Sequence, residues 1–115
     1  MRHGRSKKIL NMPNSQRQAV IKNLVMSMLK CGKIKTTLAK AKYFAPCMEK
    51  LITRAKVKSL ANTRFLISHL DKDSVSALYE IATKFETKKG GYTRIIKTWQ
   101  RYGDAAKTAI VEFAF

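Results

Sequence analysis

Arg2, His3, Arg5, Lys7 and Lys8 place five basic or potentially basic side chains in seven residues of a chain that opens MRHGRSKKILNMP. Side chains of this kind bind phosphate. Each neutralises an anion and displaces condensed counterions, so the attraction falls steeply with salt. Gly4, Pro13 and the scarcity of apolar surface point to a basic arm over residues 1–13, extended or disordered until a partner orders it. A frayed terminus is the plainer alternative, and the density of cations favours binding. More cations follow at positions that a folded surface would display. Arg17, Lys22 and Lys30 lie off the apolar stripe of a first helix, and Lys33 and Lys35 flank Ile34 in KIKTT. Lys40 and Lys42 open a second helix, Lys88 and Lys89 precede Gly90-Gly91, and Arg94 and Lys97 lie along TRIIK. Near Arg94, the rings of Tyr92, Trp99 and Tyr102 are candidates to stack on exposed RNA bases. For Trp99, core packing is the expected role.

Other chemistries find little support. His3 and His69 are far apart and neither has a cysteine or carboxylate at zinc-ligand spacing, so no metal is expected. Cys31 and Cys47, sixteen apart, form neither a disulfide framework nor a Cys-x-x-Cys pair. Both are expected as small apolar core residues in a reducing compartment. A Cys47 nucleophile would need His69 as its base, with no local signature to support the pair. Gly90-Gly91 alone is no phosphate loop, and the seven acids form no paired-carboxylate motif. No catalysis and no cofactor are expected. No apolar run is long enough to span a bilayer, and the basic start lacks the apolar stretch of a signal peptide.

The whole composition agrees with an anionic partner. Twenty-four Lys and Arg face seven Asp and Glu, a net charge of +17. Residues 1–58 hold 15 of the cations and one acid, Glu49, for a net of +14; residues 59–115 hold nine cations and six acids, for a net of +3. Ordinary surfaces mix both signs, so this polarisation reads as a binding surface rather than general solubilisation. The 115 residues fit one domain, and a 45% hydrophobic content allows a modest core.

The elements that must position these cations are legible from periodicity. Ser15 and Gln18 have the spacing of a capping box, and Val20, Leu24, Met28 with Ile21, Val25, Leu29 make a wide apolar stripe ended by Gly32. KIKTT, residues 33–37, reads as a short strand with a cationic face, and Thr37 as the cap of a second helix. There Ala41, Ala45, Met48, Ile52 and Ala55 face the core, and Pro46 is expected to kink or split the helix. A third helix from about Ser59 to Leu70 is expected to turn Leu60, Ile67 and Leu70 inward. A fourth, capped by Asp73 or Ser74, repeats Val75, Leu78, Ala82 and Phe85. These last two carry most of the remaining acids and read as scaffold facing away from the anion. Alternation over Tyr92–Trp99 and Ala109–Phe115, around Gly103-Asp104, predicts an antiparallel hairpin. The fold class is α+β: two layers, helix–strand–three helices–two strands, with helices on a small mixed sheet and residues 14–115 as one domain.

A helix-turn-helix placed on residues 59–85 would put acidic helices in a groove, which argues against that mode of DNA binding. A free-standing basic DNA-binding or nucleoid protein stays the alternative to an RNA binder. A membrane-surface protein is weaker, because the apolar stripes serve one core.

Several segments together resemble a known family. MRHGRSKKILN, Arg17, KIKTTLAKAK at 33–42, LITRAK at 51–56, Leu60-Ala61-Asn62, GGYTRIIK at 90–97, Gly103-Asp104 and IVEF at 110–113 occur in the order seen in the bacterial large-ribosomal-subunit protein seventeen family. The resemblance runs from Met1 to the end and implies a structural, cytoplasmic ribosomal component without a removed transit peptide. It implies binding to large-subunit ribosomal RNA near the outer mouth of the peptide exit tunnel, beside neighbouring large-subunit proteins. Carried onto matching positions, it makes Arg2, His3, Lys7, Lys8, Asn11, Arg17, Lys35, Thr36, Lys40, Lys42, Tyr92, Thr93 and Arg94 RNA contacts. Met12 stands where the family usually has a basic residue, Ala39 replaces a common proline, and Pro46 falls where the helix usually runs unbroken.

Overall fold

The computed structural model describes His3 and residues 9–115. Seven elements follow along the chain: α1 (Asn14–Cys31), β1 (Lys33–Thr37), α2 (Leu38–Ala55), α3 (Leu60–His69), α4 (Lys72–Lys84), β2 (Thr93–Lys97) and β3 (Thr108–Phe113). This is the α+β order expected from the periodicity. The strands lie in the order β1-β3-β2, and both pairs are antiparallel. The sheet is therefore wholly antiparallel rather than mixed. Strands β1 and β2 do point the same way, but β3 lies between them and they never pair.

Local chemistry sets the element ends. Gly32 takes the left-handed conformation (φ 77°) and its N–H donates to the Met28 carbonyl at 2.8 Å, closing α1. At the other end of α1 the expected capping box does not form. Pro13 is the N-cap residue, Ser15 already lies inside the helix, and the Arg17 N–H donates to the Pro13 carbonyl. Thr37 occupies the N-cap of α2 without a side-chain capping bond. Helix α2 continues unbroken through Pro46, contrary to the expected split. Pro46 and Lys42 are both exposed, so water can satisfy the Lys42 carbonyl that proline leaves without its partner. Ser59 caps α3 by accepting from the Asn62 N–H at 3.2 Å. Asp71, rather than Asp73 or Ser74, is the N-cap residue of α4.

Helix α2 is the hub, packing against all six other elements. Ala41, Phe44, Met48 and Ile52 lie fully buried along it, against Val25 and Met28 of α1, Leu66 of α3, Leu78 of α4 and Val111 of β3. Phe85 stands between Tyr92 (ring centroids 5.2 Å apart) and Phe113 (6.2 Å), and Phe115 stacks on it at 5.0 Å. Phe115 nevertheless keeps most of its surface exposed, beyond the end of β3. Cys31 is exposed and Cys47 half-buried, so Cys31 is no core residue; it lies in the last turn of α1, past the buried part of the stripe.

The inward face of α3 also differs from expectation. Leu60 and Ile67 are exposed, and Leu66 and Leu70 are buried. The helix is turned so that Thr63 faces the fold, where its hydroxyl meets the Tyr79 hydroxyl at 2.6 Å and so needs no water. A hydropathy reading passes over such a residue. Truncating Leu66 to alanine leaves a cavity and is expected to cost about 2–5 kcal/mol in chemical denaturation. Leu60→Ala, on the exposed side, is expected to stay within about 0.5 kcal/mol of the parent. The reverse ranking would show that α3 is rotated.

Candidate nucleic-acid interface

Side chains alternate across a sheet, so one face of β1-β3-β2 packs on the helices and the other does not. Ala109, Val111 and Phe113 of β3 are buried, with Ile34 and Ile95 opposite Val111 on the same side. The opposite phase carries Lys33, Glu112 and Arg94 in one cross-strand row and Lys35, Ile110 and Ile96 in the next. Lys33, Lys35, Arg94 and Ile96 are exposed. This outer face therefore presents three cations and one acid. Arg94 donates to Glu112 through Nε at 2.9 Å and pairs with it through Nη2. Glu112 thus separates two cationic strands that would otherwise repel across β3. Thr36, in the inner phase opposite Ala109, is half-buried and lies on the other side of the sheet from Lys35.

A second group lines a groove of about 1180 Å³ between α1, α2, α3 and the loop before β2. It brings together Lys22 and Lys89, which the sequence singled out, with Lys50 and Arg54, which it did not. Arg54 lies over the Phe65 ring at 3.7 Å, a cation–π contact that holds the guanidinium at the groove wall. Helical spacing from Lys50 to Arg54 was the available signal. Cys47 and His69 line the same groove without forming a nucleophile and base. The Cys47 thiol donates to the Tyr43 carbonyl at 3.4 Å, and burial pushes its pKa up. His69 Nδ1 lies 2.9 Å from both the Phe65 carbonyl and Ser68 Oγ. A third group lies in a hollow at the start of α2, which joins Lys42 with Lys107.

Several residues expected as contacts make bonds or packing within the fold. Tyr92 is 1% exposed and packs on Phe85, so its ring offers no face for a base. Lys88 Nζ donates to the Ala114 carbonyl at 2.7 Å, and its own carbonyl accepts from Lys56. Thr93 donates its hydroxyl to Glu49 Oε1 at 2.9 Å and its N–H to the same oxygen at 3.4 Å, joining β2 to α2. Arg17 donates to the carbonyls of Ile9 (3.3 Å) and Met12 (3.2 Å) and to Asn14 Oδ1 (3.0 Å). It clasps a turn in which Leu10 and Asn11 both have positive φ. Lys97 is exposed at the end of β2, Lys40 half-buried and Asn11 and His3 exposed. Arg2, Arg5, Lys7 and Lys8 lie outside the described residues.

Beyond β2 and β3 the hairpin continues. Thr98 N–H donates to the Thr108 carbonyl at 3.0 Å, and Arg101 N–H to the Ala106 carbonyl at 2.9 Å. Trp99 and Tyr102 project from this extension almost fully exposed, which overturns the core role expected for Trp99. The warning was Lys97, a cation in the inward phase of β2, where the buried face of the sheet ends. Among the described residues no cluster of three or more His, Cys, Asp and Glu is arranged to hold a metal ion, and no helix is long and apolar enough to cross a membrane.

A sequence model of the family described as Ribosomal protein L17 matches residues 20–114. The chain is 47% identical over 114 residues to the large ribosomal subunit protein bL17 of Campylobacter fetus subsp. fetus, a match covering 97% of each. It is 44% identical over 115 residues to the protein of the same name from Bradyrhizobium diazoefficiens, covering 98% of this chain and 83% of that one. For the Pelagibacter ubique protein of that name the identity is 44%, over 98% of this chain and 79% of the relative.

The hairpin tip carries its own electrostatic signature. Arg101 Nε donates to Asp104 Oδ1 at 3.0 Å, and the Ala106 N–H donates to the same oxygen at 3.1 Å. The Arg101 bond first, then the backbone N–H, hold the Asp104 carboxyl down to about 2, against an ordinary 3.8. A depressed carboxyl stabilises the fold above its ordinary pKa, and that contribution disappears as pH falls through about 2. An NMR titration is expected to place the Asp104 midpoint near that value, and Arg101→Ala to move it up toward 3.8. A midpoint unchanged by the substitution would contradict the tie.

Proposed function

The chain belongs to the ribosomal protein L17 family, and from that premise we propose that it is a non-enzymatic structural constituent of the bacterial large ribosomal subunit that binds large-subunit ribosomal RNA. The observation that carries the RNA contact is the helix-free outer face of the sheet, where Lys33, Lys35 and Arg94 stand exposed in register on adjoining rows. Cations held on a rigid ladder meet phosphates at fixed spacing, with less ordering of the protein than a flexible tail requires.

The groove with Lys22, Lys50, Arg54 and Lys89 and the hollow with Lys42 and Lys107 extend the contact around the molecule, and the cations of the N-terminal segment add to it. Together they suit RNA with an irregular surface, which presents phosphates in several directions. On this reading the chain sits near the mouth of the peptide exit tunnel, among other large-subunit proteins in the cytoplasmic ribosome. No cofactor or small-molecule substrate enters this reading.

Co-sedimentation tests it. The chain is expected to travel with large subunits through a moderate-salt wash, and recovery only in the free pool would contradict the proposal. A Lys33→Ala, Lys35→Ala variant is expected to leave the subunit at lower salt. In direct RNA binding the slope of log affinity against log salt should become shallower by roughly 0.7–0.9 for each phosphate that the variant no longer neutralises. Equal release of parent and variant would remove the sheet face from the contact.

A further inference from the structure

We propose that the tip of the β2–β3 hairpin is a stacking site for unpaired RNA bases, with Trp99 and Tyr102 as its platforms. This rests on the RNA-binding reading above and adds a site of different chemistry, one that recognises exposed bases rather than phosphates.

Trp99 is 93% exposed and Tyr102 is fully exposed. Large aromatic side chains are usually well buried, so two displayed on one hairpin tip call for a partner. Neither ring is paired with another aromatic or covered by a cation among the described residues. The backbone beneath them is firmly held. Thr108 Oγ1 donates to the Trp99 carbonyl at 2.6 Å, the Thr98 and Thr108 hydroxyls meet at 2.6 Å, and the Ala105 N–H donates to the Arg101 carbonyl at 2.8 Å. Arg101 and Asp104 close the turn. The tip therefore presents its rings from a preorganised base.

Charge selects the occupant. From residue 97 to residue 107 the tip carries Lys97, Arg101 and Lys107, all exposed, against Asp104, whose carboxylate is already engaged by Arg101. A nucleotide supplies what this surface lacks, a flat π face for each ring and a phosphate for each lysine. A protein neighbour would need an apolar core to the contact. Beside Trp99 and Tyr102 along the chain, Gln100, Gly103 and Ala105 are exposed and small or polar, with no long aliphatic side chain among them. Paired bases have their faces covered within the helix, so the ligand is a loop, bulge or single strand.

Trp99 is the only tryptophan in the chain, so its emission reports on this site alone. The full chain is titrated with two labelled RNAs of equal length, one single-stranded and one fully paired, and binding is followed independently by anisotropy of the label. Quenching of Trp99 by the single strand and not by the duplex is expected. Trp99→Ala should lose roughly tenfold in affinity for the single strand, Trp99→Phe should recover most of it, and duplex affinity should stay within about twofold. Circular dichroism checks that the variants fold. If both RNAs bind while emission and the Trp99→Ala affinity are unchanged, the stacking site is wrong and RNA binding stands. If neither RNA binds, the RNA reading falls and this site with it. A change in emission produced by a purified large-subunit protein but by neither RNA would reassign the tip to a protein contact and overturn the proposal.

Discussion

The molecule depends on β3, the last element of the chain, being hydrogen-bonded along both edges. Strand β1 arrives between α1 and α2, and β2 follows α4, so neither has the other as a neighbour. Within the sheet, each is hydrogen-bonded to β3 alone. Its inner phase, Ala109, Val111 and Phe113, is buried against the helices, so the two ladders and the core form together. A slip of one residue would turn Val111 outward and Glu112 into the core, an arrangement excluded by the cost of burying an unpaired carboxylate. The registration that satisfies the core is the one that places Lys33, Lys35 and Arg94 on the outside.

A chain with a net charge of +17 must also hold its cations in place against their mutual repulsion. Its acids near the basic surface act as local organisers. Glu49, alone among the first 58 residues, accepts from Thr93 and joins α2 to the start of β2. Glu112 orients Arg94 on the sheet, and Asp104 orients Arg101 at the hairpin tip. The remaining four, Asp71, Asp73, Glu80 and Glu86, cluster in and around α4. Two lysines also work inside the fold. Lys56 donates to the Lys88 carbonyl and sits over the Tyr92 ring, while Lys88 reaches the Ala114 carbonyl, fastening the loop before β2 to the end of the chain. Counting charge alone would assign all of these to a partner.

Much of the architecture is readable from residues whose role is decided locally. Gly32 needs a left-handed turn, KIKTT alternates, a helix starts near Ser59, and the TRIIK and TAIVEF segments flank a turn. The readings that fail depend on tertiary context. The Ser15–Gln18 spacing looks like a cap, but Arg17 draws the preceding turn onto the helix and Pro13 takes that place. Periodicity in α3 favours Leu60 and Ile67 because a satisfied threonine facing inward leaves no hydrophobic trace. Trp99 reads as a core residue only when the alternation of β2 is extended beyond the point where the sheet has a buried face. For the site, the cations themselves are plain in the sequence. Their division among a sheet face, a groove, a hollow and internal ties is a property of the packing.

RNA–protein crosslinking mapped on purified large subunits tests the central claim most directly, because it reads which surfaces meet RNA in the assembled particle. Crosslinks are expected on β1 around Lys33 and Lys35, on the segment from Lys89 through Lys97, and not on α4 from Lys72 to Lys84. Crosslinks centred on α4, with β1 and β2 left unmarked, would contradict the account.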